Sequence, residues 1–414
     1  MQNLDNAKGL MLRFAERTRI GARTGGQRYL WTDAFAVCNF LGLAEAGGEA
    51  ALRDTALTLI DDVHRTLGRH RPDEPHPGWL SGLPEAVGEQ HPTRGGLRIG
   101  KPLPERAPGE PLDRDLEWER DGQYFHYLTR WMHALDQTAW ATGDPTFNRW
   151  ARELAEVAFR TFTYEARPGR ARRMHWKMSI DLTRPLVPAM GHHDPLDGYV
   201  TLLQLDSSAR LFERSPDRDP ALWERSPDRD RGPDLGGAID AFAAMLVDAD
   251  WTTDDALGLG GLLMDAHRVH QLETLGTAVA PQLLRQLLAG AQAGLAQLLR
   301  QAPWLMPAGR RLAFRELGLA LGLQAVQALR HSLADDAAVE QRGLRGPLET
   351  LTTERALAEH LVTFWSTAES QRSPMWGAHR DINEVMLATA LAPAGYLELG
   401  SSSHHREAPW KRDG

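Results

Sequence analysis

Apolar residues recur at three- and four-residue spacing in segment after segment of this 414-residue chain, while strand-type alternation of β-branched residues is scarce. A chain with that periodicity can bury its apolar residues only by packing helix on helix. The spacing predicts helices over 4–18, 31–45, 49–68, 121–142, 146–165, 195–213, 234–248, 255–273, 278–302, 310–333, 350–369 and 381–398. Several links between them are short. Ala-Gly-Gly at 46–48 and Gly-Asp-Pro at 143–145 stop one helix with glycine and open the next, which makes antiparallel hairpins.

The segments are of two kinds. W-T-D-A-F-A-V-C-N-F-L-G-L (31–43) and L-G-L-G-G-L-L-M (257–264) are apolar or small on nearly every face, whereas 49–68, 146–160 and 350–369 carry charge on one broad face. A helix apolar all round is buried on all sides, and an amphipathic one lies outside it. Their alternation predicts an all-α fold of about twelve helices in concentric rings, the (α/α)6 barrel or six-hairpin toroid. A plain helical bundle or an α-solenoid is the competing arrangement. The expected organisation is a single domain over 1–400, with long mouth loops at 69–120 and 166–193, a surface insertion at 213–233 and a polar tail at 401–414. The insertion carries a short repeat, E-R-S-P-D-R-D at 213–219 and again at 224–230. Structureless loops as long as the two mouth loops tend to be functional.

A formal net charge of −8 supplies no polycationic footprint, so nucleic acid is not an expected partner. No window approaches the ~18 apolar residues of a membrane span, and no basic amphipathic stretch points to a membrane surface. The single cysteine, Cys38, excludes an intrachain disulfide, and the N-terminus lacks a signal-peptide pattern. The expected location is cytoplasmic. G-x-x-x-x-G-K-[ST], G-x-G-x-x-G and G-x-S-x-G are all missing, and the glycines at 258–261 lie within a helix, where they serve close packing.

In a ring of inner helices, equivalent helix ends collect at one mouth. The starts of the apolar helices read Thr32-Asp33, Asp121-Gly122-Gln123-Tyr124-Phe125-His126, His192-His193-Asp194-Pro195-Leu196-Asp197, Asp254-Asp255, Arg315-Glu316 and His379-Arg380-Asp381-Ile382-Asn383-Glu384. Any one Asp there suits ordinary N-capping. Together they offer carboxylates, imidazoles, amides and aromatics at one rim, the set a sugar needs for its hydroxyls and its apolar face. His192-His193-Asp194 has no H-x-x-x-H or C-x-x-C spacing beside it, so no metal and no cofactor are expected.

Two phrases, W-T-D-A-F-A-V-C-N-F-L-G-L-A-E-A-G-G and H-A-L-D-Q-T-A-W-A-T-G-D-P-T-F-N-R-W-A-R-E-L-A, resemble the helical hairpins of the six-hairpin glycosidase superfamily. That group includes N-acylglucosamine 2-epimerase-like sugar isomerases and several glycoside hydrolase families. The resemblance implies a carbohydrate-active enzyme acting on a small saccharide or glycoconjugate. Glycoside hydrolase-like members imply a general acid and a base from two carboxylates, for which Asp121, Asp194, Asp197 and Asp381 are the candidates. The expected division has Asp121 or Asp381 as acid and Asp194 or Asp197 as base. Tyr124, Trp176 and Trp376 are expected to stack the sugar, and Gln123, His126, His175, Arg380 and Asn383 to bind it. A sugar 2-epimerase or aldose–ketose isomerase would use a histidine pair, His193 and His379. The P-G-H-x-x-E phrase expected of the epimerases is missing. A third reading is a non-catalytic helical toroid that binds a glycan or a protein. A homodimer is compatible with all three.

Overall fold

In the computed structural model the described residues are 2–22, 26–74, 76–167, 172–214, 232–333 and 336–400. The tail at 401–414 and nearly all of the expected insertion at 213–233 lie outside them. The described residues gather into two compact units, one of 2–17, 42–49 and 248–400, the other of 18–41 and 50–247.

Among the described residues the chain is all-α apart from five strands of two or three residues. The second-named unit contains α3 (Ala50–Leu67), α4 (Glu85–Gln90), α5 (Arg114–Glu117), α6 (Phe125–Thr142), α7 (Thr146–Phe162), α8 (Asp194–Arg214) and α9 (Gly236–Met245). Its strands are β1 (Gln123–Tyr124), β2 (Thr163–Tyr164), β3 (Arg173–Met174), β4 (Lys177–Met178) and β5 (Pro185–Val187). The first-named unit contains α1 (Gln2–Arg17), α10 (Ala256–Thr274), α11 (Leu283–Gln301), α12 (Ala313–Ser332), α13 (Arg345–Thr353), α14 (Arg355–Ser366), α15 (Pro374–Ala378) and α16 (Arg380–Leu391). Helix α2 (Leu30–Gly47) supplies residues to both.

The two kinds of helix read from the sequence recur as two kinds of burial. Runs at 30–41 in α2, 128–139 in α6, 194–205 in α8, 262–272 in α10, 316–323 in α12 and 383–390 in α16 are buried without interruption, around the whole circumference. Between them in the chain stand helices buried along one stripe. Helix α11 buries Leu283, Leu284, Leu287, Leu288, Ala291, Gly294, Leu295 and Leu298, the three- and four-residue spacing of a single apolar face. Helices α1, α3 and α7 follow the same rule. The chain thus alternates fully buried and one-sided helices, as the hairpin reading requires.

Local chemistry sets the hairpin turns. Gly143 ends α6 in the left-handed region at φ 72°, and Asp144 then accepts the Thr146 amide at 2.9 Å to open α7. Glycine also sets how closely α10 and α12 approach. A Cβ built on Gly260 would stand 2.2 Å from the Gly318 carbonyl oxygen, and one on Gly322 would stand 2.7 Å from the Gly260 Cα. Gly260, within the glycine run at 258–261, is therefore a close-packing position.

Several boundaries differ from those predicted. The fourth helix begins at Phe125, not 121, because the residues before it use their backbone to pair with β4. The segment 350–369 is two helices, α13 starting early at Arg345 and α14 ending at Ser366. The last segment stops at Leu391, two residues before Pro393.

Candidate functional site

The unit made of 18–41 and 50–247 carries a polar and aromatic cluster where the two long loops meet the starts of α6 and α8. Antiparallel pairing of β1 with β4 sets Gln123 opposite Met178 and Tyr124 opposite Lys177. Gly122, at φ 147°, makes that approach possible, since a Cβ there would stand 2.8 Å from the Met178 carbonyl oxygen. The pairing carries the loop residue Trp176 to the first turn of α6.

Asp121 and Gln123 hold the loops in place. Asp121 is fully buried and accepts from Arg98 Nη1 at 2.5 Å, Gly100 N at 2.9 Å, Lys101 N at 3.3 Å and Arg71 Nη1 at 3.4 Å. Gln123 accepts from Leu97 N at 2.8 Å and donates to the Ile180 and Gly95 carbonyls at 2.7 and 3.1 Å. Buried side chains so fully engaged tie the 69–120 loop to the start of α6.

Above these anchors stand stacked rings. His126 lies 5.6 Å from Tyr124 and 6.4 Å from Trp176, nearly parallel to both. Tyr124 and Trp176 are 5.5 Å apart, and Trp118 stands nearly perpendicular to Trp176 at 4.9 Å. Tyr127 closes the group, 4.7 Å from His126 and 5.2 Å from Tyr124, with its hydroxyl 2.5 Å from that of Tyr29. Burial raises the Tyr29 phenol to about 12 and the Tyr124 phenol higher still, so both remain protonated donors at any physiological pH.

Beyond His126 lies a carboxyl pair on α8. Asp194 and Asp197 are one turn apart on that helix, and both are buried. Asp197 accepts from Arg130 Nη2 at 3.0 Å, a guanidinium from the interior of α6. Asp194 has no cation bonded to it; the Gly191 amide donates to its carboxyl group, and its Oδ2 is buried without a hydrogen-bond partner. Burial pushes its carboxyl up to about 8, and the like charge of Asp197 adds to the rise; the Gly191 amide and Arg130 act against it. At neutral pH Asp194 therefore carries a proton while its neighbour faces a guanidinium. Burial likewise holds the His126 imidazole down at about 4, so this ring is neutral, and its Nδ1 is buried without a partner.

The remaining sequence candidates have other neighbours. His193 is half-buried and packs against the exposed His192 at 4.5 Å. His175 stacks on Tyr164 at 4.4 Å, and burial lowers its imidazole. In the other unit, Trp376 is 2% exposed and lies on Trp365 at 5.7 Å, so its faces belong to the core. Asn383 accepts the Phe314 amide at 3.0 Å and donates to the Trp376 carbonyl at 3.1 Å. Asp381 accepts from Arg17 Nε at 2.6 Å, and Arg17 Nη2 also binds Glu384 at 2.8 Å. Arg380 stands 3.6 Å from Glu384, and the exposed His379 meets the Phe314 ring at 5.9 Å. Among the described residues, no three His, Cys, Asp or Glu side chains gather as a metal ion would require.

Trp118 and Arg130 were not legible as site residues. Arg130 did leave a signal, a lone arginine in the apolar phrase F-H-Y-L-T-R-W-M, where a buried cation demands an anionic partner. Trp118 left less, one aromatic ring inside the charged run L-E-W-E-R.

No family model and no curated protein matches the sequence. Solved structures similar to this chain at low identity include three of note. One is a cellobiose 2-epimerase from Spirochaeta thermophila, at 12% identity over 90% of this chain and 88% of that one, with a TM-score of 0.48. A second is an inactive variant of an α-1,6-mannanase of Salegentibacter sp. in complex with α-1,6-mannotriose, at 12% identity over 94% and 99%, with a TM-score of 0.49. The third is a sugar epimerase from a ruminal bacterium, at 10% identity over 94% and 98%, with a TM-score of 0.47.

Proposed function

We propose that this chain is a carbohydrate-active enzyme of the six-hairpin type that hydrolyses a glycosidic bond by acid–base catalysis. The observation that carries the reading is the pair on α8: a carboxyl raised to about 8 and, one turn on, a carboxylate held by Arg130 at 3.0 Å. Two carboxyl groups whose environments differ in this way are what an acid and a base require in one site.

Asp194 delivers its proton to the glycosidic oxygen as the bond from that oxygen to the anomeric carbon breaks, so the leaving sugar departs neutral. Asp197 takes a proton from water, and the water oxygen attacks the anomeric carbon. Arg130 holds Asp197 in place through its guanidinium at 3.0 Å. His126 accepts a sugar hydroxyl at Nδ1, an atom otherwise without a partner, and Trp176 with Tyr124 forms the wall against which a sugar ring lies. Asp121 and Gln123 act through the loops they anchor. This division differs from the sequence expectation in giving the acid's role to Asp194.

A second reading, a sugar 2-epimerase or aldose–ketose isomerase, is favoured by the neutral His126 ring with its unpartnered Nδ1, which could take a proton from carbon. The substrate is a saccharide in both. A cytoplasmic setting belongs to the same proposal and rests on the lone, buried Cys38, which suits a reducing compartment. No helix among the described residues is long and apolar enough to cross a membrane.

Incubation in deuterated buffer with a panel of gluco- and manno-configured disaccharides separates the readings. Hydrolysis is expected to release two reducing sugars with no deuterium on carbon. An intact disaccharide that gains deuterium at C2 would replace hydrolysis by epimerisation. No turnover and no saturable binding across the panel would contradict both.

A further inference from the structure

Among the described residues, Trp118 is the one aromatic side chain in the exposed class, at 49%. Exposed tryptophan is costly to leave in water and usually finds cover. Here its position is held with unusual firmness. Lys177, fully buried, donates through Nζ to the Glu117 carbonyl at 2.8 Å, the Glu117 carboxylate at 2.8 Å and the Arg120 carbonyl at 2.9 Å. One ammonium thus clamps the backbone on both sides of Trp118. Arg106 adds a bond to the other oxygen of Glu117 at 3.1 Å and reaches the Leu186 carbonyl at 2.9 Å, tying the clamp to β5.

Burying a lysine costs several kcal/mol of desolvation before its bonds offset it, which is a heavy outlay for the surface turn of a loop. The turn it fixes presents one ring. That ring stands nearly perpendicular to Trp176, at an interplanar angle of 80° and 4.9 Å, and 6.3 Å from Tyr124, with about half of its surface left to solvent. Trp176 in turn lies along the Tyr124 and His126 wall. From Asp197 through His126 and Trp176 to Trp118 exposure rises, from buried through half-buried to exposed.

Resting on the reading of this cluster as a saccharide site, we propose that Trp118, clamped by Lys177, is the stacking platform for a second sugar ring, so that the natural substrate contains at least two linked pyranoses. A platform fixed before binding loses little conformational entropy when a ring settles on it. A single-sugar enzyme would have no use for an aromatic face held rigidly beyond the first ring.

The test is the ratio of disaccharide to monosaccharide affinity, measured by calorimetry on the full chain. The probes are glucose against cellobiose and maltose, and mannose against its α-1,6- and β-1,4-linked disaccharides. The acid variant D194N keeps the bond intact during titration, and W118A and W118F are made in that background. A preference for one disaccharide over its monosaccharide is expected, and W118A should reduce that ratio roughly tenfold, the worth of one stacked ring. W118F should retain most of it. An unchanged ratio in W118A, or no preference for a disaccharide before the substitution, overturns the platform and leaves the saccharide site standing. Loss of every sugar's binding in the parent D194N protein, and in wild type, would remove the site reading itself.

Discussion

Replacing Asp194 with asparagine is expected to slow hydrolysis by about 10²–10⁴-fold, the usual worth of a positioned general acid, and at the same time to stabilise the fold at alkaline pH. The two effects share one cause. The folded protein raises this carboxyl from 3.8 to about 8. Between those values the native state holds a proton that the unfolded chain has released, so stability falls as pH rises through the window. The penalty is absent below about pH 4 and complete above about pH 8. An amide has no charge to bury, and it can still accept the Gly191 amide hydrogen. D194N should therefore gain on the order of a few kcal/mol over wild type at pH 8.5 and nothing at pH 4. Urea unfolding at the two pH values measures this directly. A variant equally destabilised at both, or one that keeps its activity, would contradict the assignment. The arrangement is a trade of stability for chemistry, as active sites often show.

A second substitution tests what holds the site's helices together. Asp136, on α6, is 1% exposed. It accepts from Asn148 Nδ2 of α7 at 2.8 Å, and from Gln204 Nε2 and Ser208 Oγ of α8 at 2.8 and 3.0 Å. Asn148 also donates to the Leu205 carbonyl at 3.1 Å, and His133 Nδ1 meets Gln204 Oε1 at 3.1 Å. One carboxylate therefore ties three helices. D136A would take the acceptor from buried Gln204 and Ser208 donors and leave Asn148 with the Leu205 carbonyl alone, and is expected to cost about 3–5 kcal/mol. The urea midpoint should fall with little change in slope, as for a pure loss of stability. A change below about 1 kcal/mol would mean that water or neighbouring groups replace the carboxylate without strain. Because α6 carries Arg130 and α8 carries both acid and base, partial loss of this tie should also loosen the Arg130–Asp197 contact.

The helices were legible because their cause is local. The stripe of α11 and the glycine stop at Gly143 act within a turn or two of sequence. The boundaries that moved have distant or weak causes. The start of α6 is displaced by pairing with β4, more than fifty residues away, and the break at Glu354 falls in L-T-T-E-R, which contains neither Gly nor Pro. The site divides the same way. D-P-L-D at 194–197 marked both carboxyl groups, since a helix start places such residues one turn apart. That Asp194 keeps its proton depends on burial by the folded chain, and Asp197 meets its guanidinium only through Arg130, 67 residues away in sequence. Asp121 looked equally suited to acid chemistry until the 69–120 loop brought Arg98 and two backbone amides to it. Trp118 becomes a platform only through a lysine 60 residues from Glu117.

The protonation of Asp194 is the point on which the account rests, and it can be read without knowing the substrate. Carbon-13 NMR of the protein labelled at aspartate carboxyl carbons follows each group through its titration, and D194N identifies the signal. The account predicts one aspartate titrating near pH 8, missing from D194N and moved downward in D197N, where the like charge is gone. If every aspartate carboxyl has completed its titration below about pH 5, within the ordinary spread for these groups, Asp194 is ionised at neutral pH and cannot be the acid.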